Sequence, residues 1–391
     1  MATMTPRERV EKVIHFQTPD RVPLCMGGAT AATISAFAYQ DLRRWLGLAE
    51  RRAVVHDLMQ GVCLPHDDVY RRYGLDIVPL SLPVYLDRWK PWSPRPGYTF
   101  NVFHNADLAA QADGGWKLRH PASGRCVQMP PGGYFFDDLE RAGWYAYDTG
   151  LRGDAYWRKL EEAARHLYET TDYAIRADGA GGFFSHDPEF LIRMKIEPAA
   201  VYDELAARAE EYIKQLECLV QAVGRYVFAV GTSDDLGAQN AEMASPADLR
   251  SLIFPHYRRV IGWLHAHSGV KFWLHSCGSI ARILPDLVEM GVDILNPVQT
   301  SAAGMDPAWL AREFGGRIVF CGGGCDTQRV LPFGGPEEVD RHVRERVRTF
   351  APTRGFIFAA VHNVVAGVPP ENVDAMLFAA RDEGGRVFGE T

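Results

Sequence analysis

The chain has 391 residues, 49 of them acidic and 42 basic, for a formal net charge of −7. That balance gives no support to a nucleic-acid or anionic-membrane partner, because both favour a basic surface. With 47% hydrophobic and 23% charged residues, 37 glycines and 24 prolines, the composition is that of a globular protein and excludes disorder and collagen-like repeats. Length alone predicts roughly two to three domains, although single barrels of about 250 residues and more are common.

The opening MATMTPRERVEKVIHF is charged and lacks the apolar core of a secretory signal. No stretch approaches the roughly 18 apolar residues of a membrane span. The seven cysteines are sparse and odd in number, which excludes a disulfide scaffold and leads to the expectation of a reducing, cytoplasmic setting. In such a setting most cysteines are buried hydrophobes.

Thr5, Pro6 and Glu8 form a helix-start signature, with Val10, Val13 and Ile14 as its apolar stripe. Val22 to Met26 reads as a short strand, and Asp76 to Leu80 as another. Between about 80 and 150 the pattern is irregular and rich in aromatics, prolines and glycines, which predicts hairpins and loops inserted into a larger domain. A strand at 173–176 precedes helical segments at 188–222. From 225 onward five βα units follow in about 160 residues, their strands at 225–230, 270–274, 293–295, 317–320 and 356–358. Short connections between alternating elements imply parallel strands with helical crossovers. The strands add up to a closed (β/α)8 barrel, so the whole of 1–391 is expected to be one α/β barrel domain with an insertion near 80–150. No GxGxxG turn follows the first strand, so a dinucleotide-binding sheet has no support.

In such a barrel the chemistry sits at the C-terminal ends of the strands. The polar residues delivered there are Asp234 and Asp235, His275 and Cys277, Asn296 and Gln299, then Cys321, Cys325 and Asp326, then His362 and Asn363. His275-Ser276-Cys277 is the sharpest of these. Positions i and i+2 at a strand end share a side, and imidazole plus thiolate suits zinc, with an open position left for catalysis. Cys325 is the first choice for a third ligand, with Cys321 or His362 as alternatives. Cys321 continues an apolar strand and reads equally as packing. Asp234 and Asp235 either cap their loop or serve as catalytic carboxylates, and His362 is a further catalytic candidate. Asn296, Gln299, Asp326 and Asn363 are candidates for substrate binding. Cys25, Cys63, Cys126 and Cys218 have no neighbours that suggest coordination.

Five segments carry a resemblance over nearly the whole length: TPRERVEKVIHFQTPDRVP, SDDLGAQ (233–239), HSCGSIARILPDLVEMGVDILNPVQ (275–299), FCGGGCDTQRVLPFGGPEEV (320–339) and VHNVVAGVPPENVDAM (361–376). In these the chain resembles the uroporphyrinogen decarboxylase superfamily, whose fold is a (β/α)8 barrel. The resemblance implies one of two chemistries. The decarboxylases need no metal and hold tetrapyrrole carboxylates through an N-terminal RQAGR-type motif; the matching stretch here, MGGATAATISAF at 26–37, lacks it. The other branch comprises cobalamin-dependent methyltransferases that bind zinc through an HxC motif, carried over to His275 and Cys277, plus a distant cysteine. Where the coenzyme M enzymes of that branch have this cysteine, the present chain has His362-Asn363, which argues against coenzyme M as acceptor.

The resemblance thus implies a zinc methyltransferase acting on a small O-methyl donor or acceptor. Its partner would be the cobalamin of a separate corrinoid protein, since no corrinoid-binding DxHxxG signature occurs in this sequence. Tetrahydrofolate is a further candidate reactant, and a homodimer is compatible with the sequence. Two other readings compete: a metal-free decarboxylase or lyase that uses Asp234 or Asp235, and a non-enzymatic barrel that binds a small molecule.

Overall fold

The computed structural model describes residues 3–121, 123–137 and 147–389. Seven parallel strands run side by side in the order β7-β6-β5-β4-β3-β2-β1. They are β1 (Ile77–Leu80), β2 (Ala174–Asp178), β3 (Ala229–Ser233), β4 (Lys271–His275), β5 (Ile294–Asn296), β6 (Val319–Cys321) and β7 (Phe356–Ile357). The ring is completed by residues 23–25. The Cys25 amide donates to the Phe358 carbonyl and the Phe358 amide to Pro23, each at 2.8 Å, while the Asp76 amide donates to Leu24 at 2.8 Å. The eighth stave is therefore a single bridge at Leu24 with no extended ladder.

Alternation along each strand separates two cores. Outward residues such as Phe272, Leu274 and Phe320 pack under the surrounding helices. Inward residues such as Ile77, Ala229, Trp273, Ile294 and Val319 fill the barrel. Helix α1 (Pro6–Ile14) starts with the expected capping box at Thr5 and Glu8, and its stripe of Val10, Val13 and Ile14 joins the barrel interior. The helices that begin at Pro246, Pro307, Pro336 and Pro370 all start at the prolines that mark them in the sequence, because proline's missing N–H is an orphan there in any case.

Asp76 locks the closure. Its buried carboxylate accepts from Arg9 Nη1 at 2.5 Å, from Arg21 Nη1 at 2.8 Å and from the Leu24 amide at 2.7 Å. Arg9 also reaches Asp20 at 2.6 Å, so α1, the closing segment and β1 share one charged knot.

Two extra antiparallel-rich sheets flank the barrel. One has five strands and pairs residues 34–35, 54–57 and 62–64 with the hairpin 89–103. The other has three strands between Asp107 and Met129. The added β-structure thus begins upstream of residue 80, and residues 122 and 138–146 of the expected insertion lie outside the described residues. Strand β3 occupies 229–233, later than the apolar run at 225–230. The preceding helix runs to Val223 and the Tyr226 amide donates to the Val223 carbonyl at 2.8 Å, so a turn takes up the start of the run; within the strand, Gly231 faces the barrel interior, where an added Cβ would sit 1.6 Å from Arg176 Nη2. No helix among the described residues is long and apolar enough to cross a membrane.

Candidate metal centre

His275 ends β4 and pairs in register with Asn296 at the end of β5, so the two side chains point to the same side. The His275 Nδ1 and Asn296 Oδ1 atoms are 3.0 Å apart. The other end of the carboxamide is fixed, because Asn296 Nδ2 donates to the Cys321 carbonyl at 3.0 Å. With its NH2 committed, Asn296 presents oxygen to the imidazole, which sets Nδ1–H as donor and turns Nε2 to the barrel mouth.

At the mouth, Cys277 Sγ lies 3.4 Å from His275 Nε2. The His362 ring, from the loop after β7, stands edge-on to His275 with centroids 5.8 Å apart. One ligand atom from each of His275, Cys277 and His362 lies within 4.8 Å of the other two. This donor set of two nitrogens and a sulfur suits a borderline-soft divalent ion such as zinc.

Asp235 braces the set. Its Oδ1 accepts the Cys277 amide at 2.7 Å and lies 3.5 Å from His275 Nε2. Burial would raise its pKa, but the hydrogen bonds and charge of His275 and the contacts with Cys277 outweigh this and hold it well below the usual carboxylate range. Burial likewise works against protonation of His275, yet Asp235 and Cys277 together raise its pKa to about 10, so the Nε2 proton has to leave before that nitrogen can bind a metal. His362 behaves oppositely: burial, helped by repulsion from His275, lowers it to about 4 and keeps that imidazole neutral.

The other expected residues take up separate positions. Cys325 is not brought into it: the thiol is fully buried in the apolar core between barrel and helices, and burial pushes its pKa up. His362 stands at the third position instead. Cys321 is buried in the barrel interior beside Cys25. Asp234 is almost fully buried, and its Oδ2 accepts from the Phe183 and Phe184 amides at 2.6 and 2.8 Å and from the Tyr257 hydroxyl. Burial raises its pKa to about 6, and its carboxylate ties the 182–184 loop to a helix.

Asn296 is wholly buried and orients His275. Gln299 accepts from the Gly278 amide at 2.8 Å and donates to Gln239 at 3.0 Å, bracing the loop that carries Cys277. Asn363 accepts from the Thr33 amide at 3.2 Å and fixes the loop beside His362. Asp326 Oδ1 accepts from the Gln328 and Arg329 amides at 2.7 and 3.0 Å and so caps its own turn. Cys25 and Cys63 are buried, whereas Cys126 and Cys218 are exposed.

One polar residue of the barrel interior does not stand at a strand end. Arg176 sits in mid-β2 and points into the barrel, with its guanidinium 5.0 Å from the Trp273 ring centroid and 2.7 Å from Asp178. The signal was present in the sequence as a lone cation inside the apolar strand Ala174-Ile175-Arg176-Ala177.

Comparison with known proteins bears on the whole chain. A methyltransferase from Methanosarcina mazei superposes with a TM-score of 0.58 at 16% identity, over 97% of this chain and 99% of that one. A glycoside hydrolase family 5 enzyme from Prevotella bryantii B14, PbGH5A, reaches 0.36 at 11% identity, over 60% of this chain and 78% of its own. A D-psicose 3-epimerase, with D-fructose present, reaches 0.34 at 12% identity, over 59% of this chain and 82% of its own. The first likeness supports the barrel fold; the other two are too slight to add to it. No curated protein matches the chain. The family described as "Uroporphyrinogen decarboxylase (URO-D)" matches residues 182–383, which include every member of the His275 cluster. The chain belongs to the uroporphyrinogen decarboxylase (URO-D) family.

Proposed function

We propose that the chain is a zinc-dependent methyltransferase that moves a methyl group between a small O-methyl compound, or folate, and the cobalamin of a separate corrinoid protein. The observation that carries this reading is the convergence of His275, Cys277 and His362 at the barrel mouth, with the imidazole of His275 already oriented by Asn296. Three protein ligands leave a fourth position for a reactant, the arrangement of a catalytic metal site. Bound there, zinc would supply Lewis acidity toward an ether oxygen or lower the pKa of a thiol.

The chain's own residues have defined tasks in this scheme. His275 through Nε2, Cys277 through Sγ and His362 hold the ion. Asn296 keeps the imidazole in the ligating tautomer. Asp235 holds the Cys277 amide and so fixes the spacing of the HxC turn. His362, kept neutral by burial, has its lone pair available for the metal.

The test is metal analysis joined to methyl transfer onto free cobalamin, followed by visible absorbance. About one zinc per chain is expected, with both metal and transfer lost in His275→Ala and in Cys277→Ala. Protein that carries no metal, together with fully active variants, would overturn the proposal and favour the metal-free decarboxylase reading.

A further inference from the structure

The three candidate ligands are held by two different parts of the fold. His275 and Cys277 belong to the end of β4 and the turn after it. His362 lies in the loop after β7, and the residues that follow it are held by the five-stranded sheet. Val364 forms a parallel bridge with Ile34. Its amide donates to the Thr33 carbonyl at 2.9 Å, and its carbonyl accepts the Ser35 amide at 2.7 Å. Ile34 and Ser35 pair in turn with Cys63 and Val62. The chain just past His362 thus extends that sheet by one rung.

Asn363 completes the attachment. It is buried, and both ends of its carboxamide are used. Oδ1 accepts the Thr33 amide at 3.2 Å, and Nδ2 donates to Gln60 Oε1 at 2.5 Å. Both contacts lead back to the hairpin of residues 54–64. Gln60 sits in its turn, where Asp57 Oδ1 accepts the Met59 and Gln60 amides at 2.8 and 3.1 Å. The Thr33 hydroxyl donates to the Cys63 carbonyl at 2.6 Å. On the other side of His362, the Val361 amide donates to the Cys325 carbonyl at 2.9 Å. With both neighbours pinned, the direction of the His362 ring is set by where the pins stand.

We infer that the five-stranded sheet is a working part of the metal site, with Gln60 as the positioning residue that sets the His362 ring through Asn363. The inference rests on the zinc-site reading. It adds that ion binding joins the sheet to the barrel, since the ligands come from both.

The probe is Co2+ added to the metal-free full chain and followed by its visible absorbance. Gln60→Met keeps the length of the side chain and loses the acceptor, whereas Gln60→Glu keeps an acceptor. Gln60→Met is expected to bind Co2+ about tenfold more weakly, with altered absorbance, and Gln60→Glu to stay near the wild type. In the His362→Ala background Gln60→Met should have no further effect, because a residue that acts through His362 has nothing left to act on. On the wild-type chain Co2+ should also slow hydrogen exchange at the Ser35 and Val364 amides severalfold or more. The inference is overturned if folded Gln60→Met binds Co2+ like the wild type, if its loss persists in the His362→Ala background, or if exchange at Ser35 and Val364 does not respond. The zinc-site reading survives each of those results. It falls, and the inference with it, if wild-type protein binds no Co2+. Should Gln60→Met fail to fold, the exchange measurement on the wild-type chain decides the matter.

Discussion

Asn296 Oδ1 lies 3.0 Å from His275 Nδ1, with the asparagine buried and its amide nitrogen spent on the Cys321 carbonyl. The asparagine therefore acts through the histidine and not on a reactant. Removing such an outer partner typically costs about 10–100-fold in metal affinity. Asn296→Ala is accordingly expected to weaken zinc by that factor in chelator competition, with the protein still folded. Zinc affinity unchanged in Asn296→Ala would show that the contact is only packing.

The proposed metal site separates two residues that the sequence alone left open. His362→Ala is expected to lower zinc occupancy, whereas Cys325→Ala leaves it intact and destabilises only by the loss of a small buried side chain, about 1 kcal/mol. Metal content of the two variants, measured side by side, checks this. Loss of zinc in Cys325→Ala alone would reverse the assignment.

The knot of Arg9, Asp20 and Asp76 predicts a specific acid response. Burial pushes the Asp20 carboxyl up, but Arg9, the Met4 amide and Arg21 pull it below the usual range more strongly. A depressed carboxylate contributes stability above its unfolded pKa, near 3.9, and loses it as pH falls through the folded value. Melting temperature should therefore drop steeply below about pH 4, and less steeply in Asp20→Asn, which is already weakened at pH 7. Arg9→Ala strips one partner from the buried Asp76 and should cost about 3–5 kcal/mol by denaturant titration. Equal acid slopes in wild type and Asp20→Asn would remove the knot from the account.

Gly231→Ala tests how tightly the barrel interior is filled. The added methyl would lie 1.6 Å from Arg176 Nη2, so the guanidinium must leave its place over Trp273 and beside Asp178. Overpacking of this kind costs about 1–3 kcal/mol. A lower melting temperature is expected. A wild-type melting temperature would mean that Arg176 moves freely.

The sequence reveals most of the barrel because its signals are local. Proline starts such as Pro336 and Pro370, and β-rich runs such as Lys271 to Leu274, do not depend on distant contacts. Strand β3 is offset from its apolar run because the preceding helix and its turn extend through Tyr226, and Gly231 answers to Arg176 on the neighbouring strand, a pairing that no local pattern encodes. The HxC turn is legible for the same local reason. The choice of His362 over Cys325 is not, since both follow barrel strands. What separates them is the burial of Cys325 between barrel and helices, a tertiary fact. Asn296 was visible as a polar residue at a strand end, but its role depends on the register that sets it beside His275.

The bridge of Leu24 to Phe358 also has a consequence for how the chain is made. The segment that closes the ring leaves the ribosome long before its partner, because Leu24 and Phe358 stand far apart along the chain. Until residue 358 emerges, the inward faces of α1 and β1 have an open seam beside them, with apolar surface and unpaired strand edges available for misassociation. Contacts of such long range also slow folding. Refolding of this barrel should therefore be sensitive to protein concentration, and light scattering during dilution from denaturant should rise with concentration while far-UV circular dichroism has already recovered.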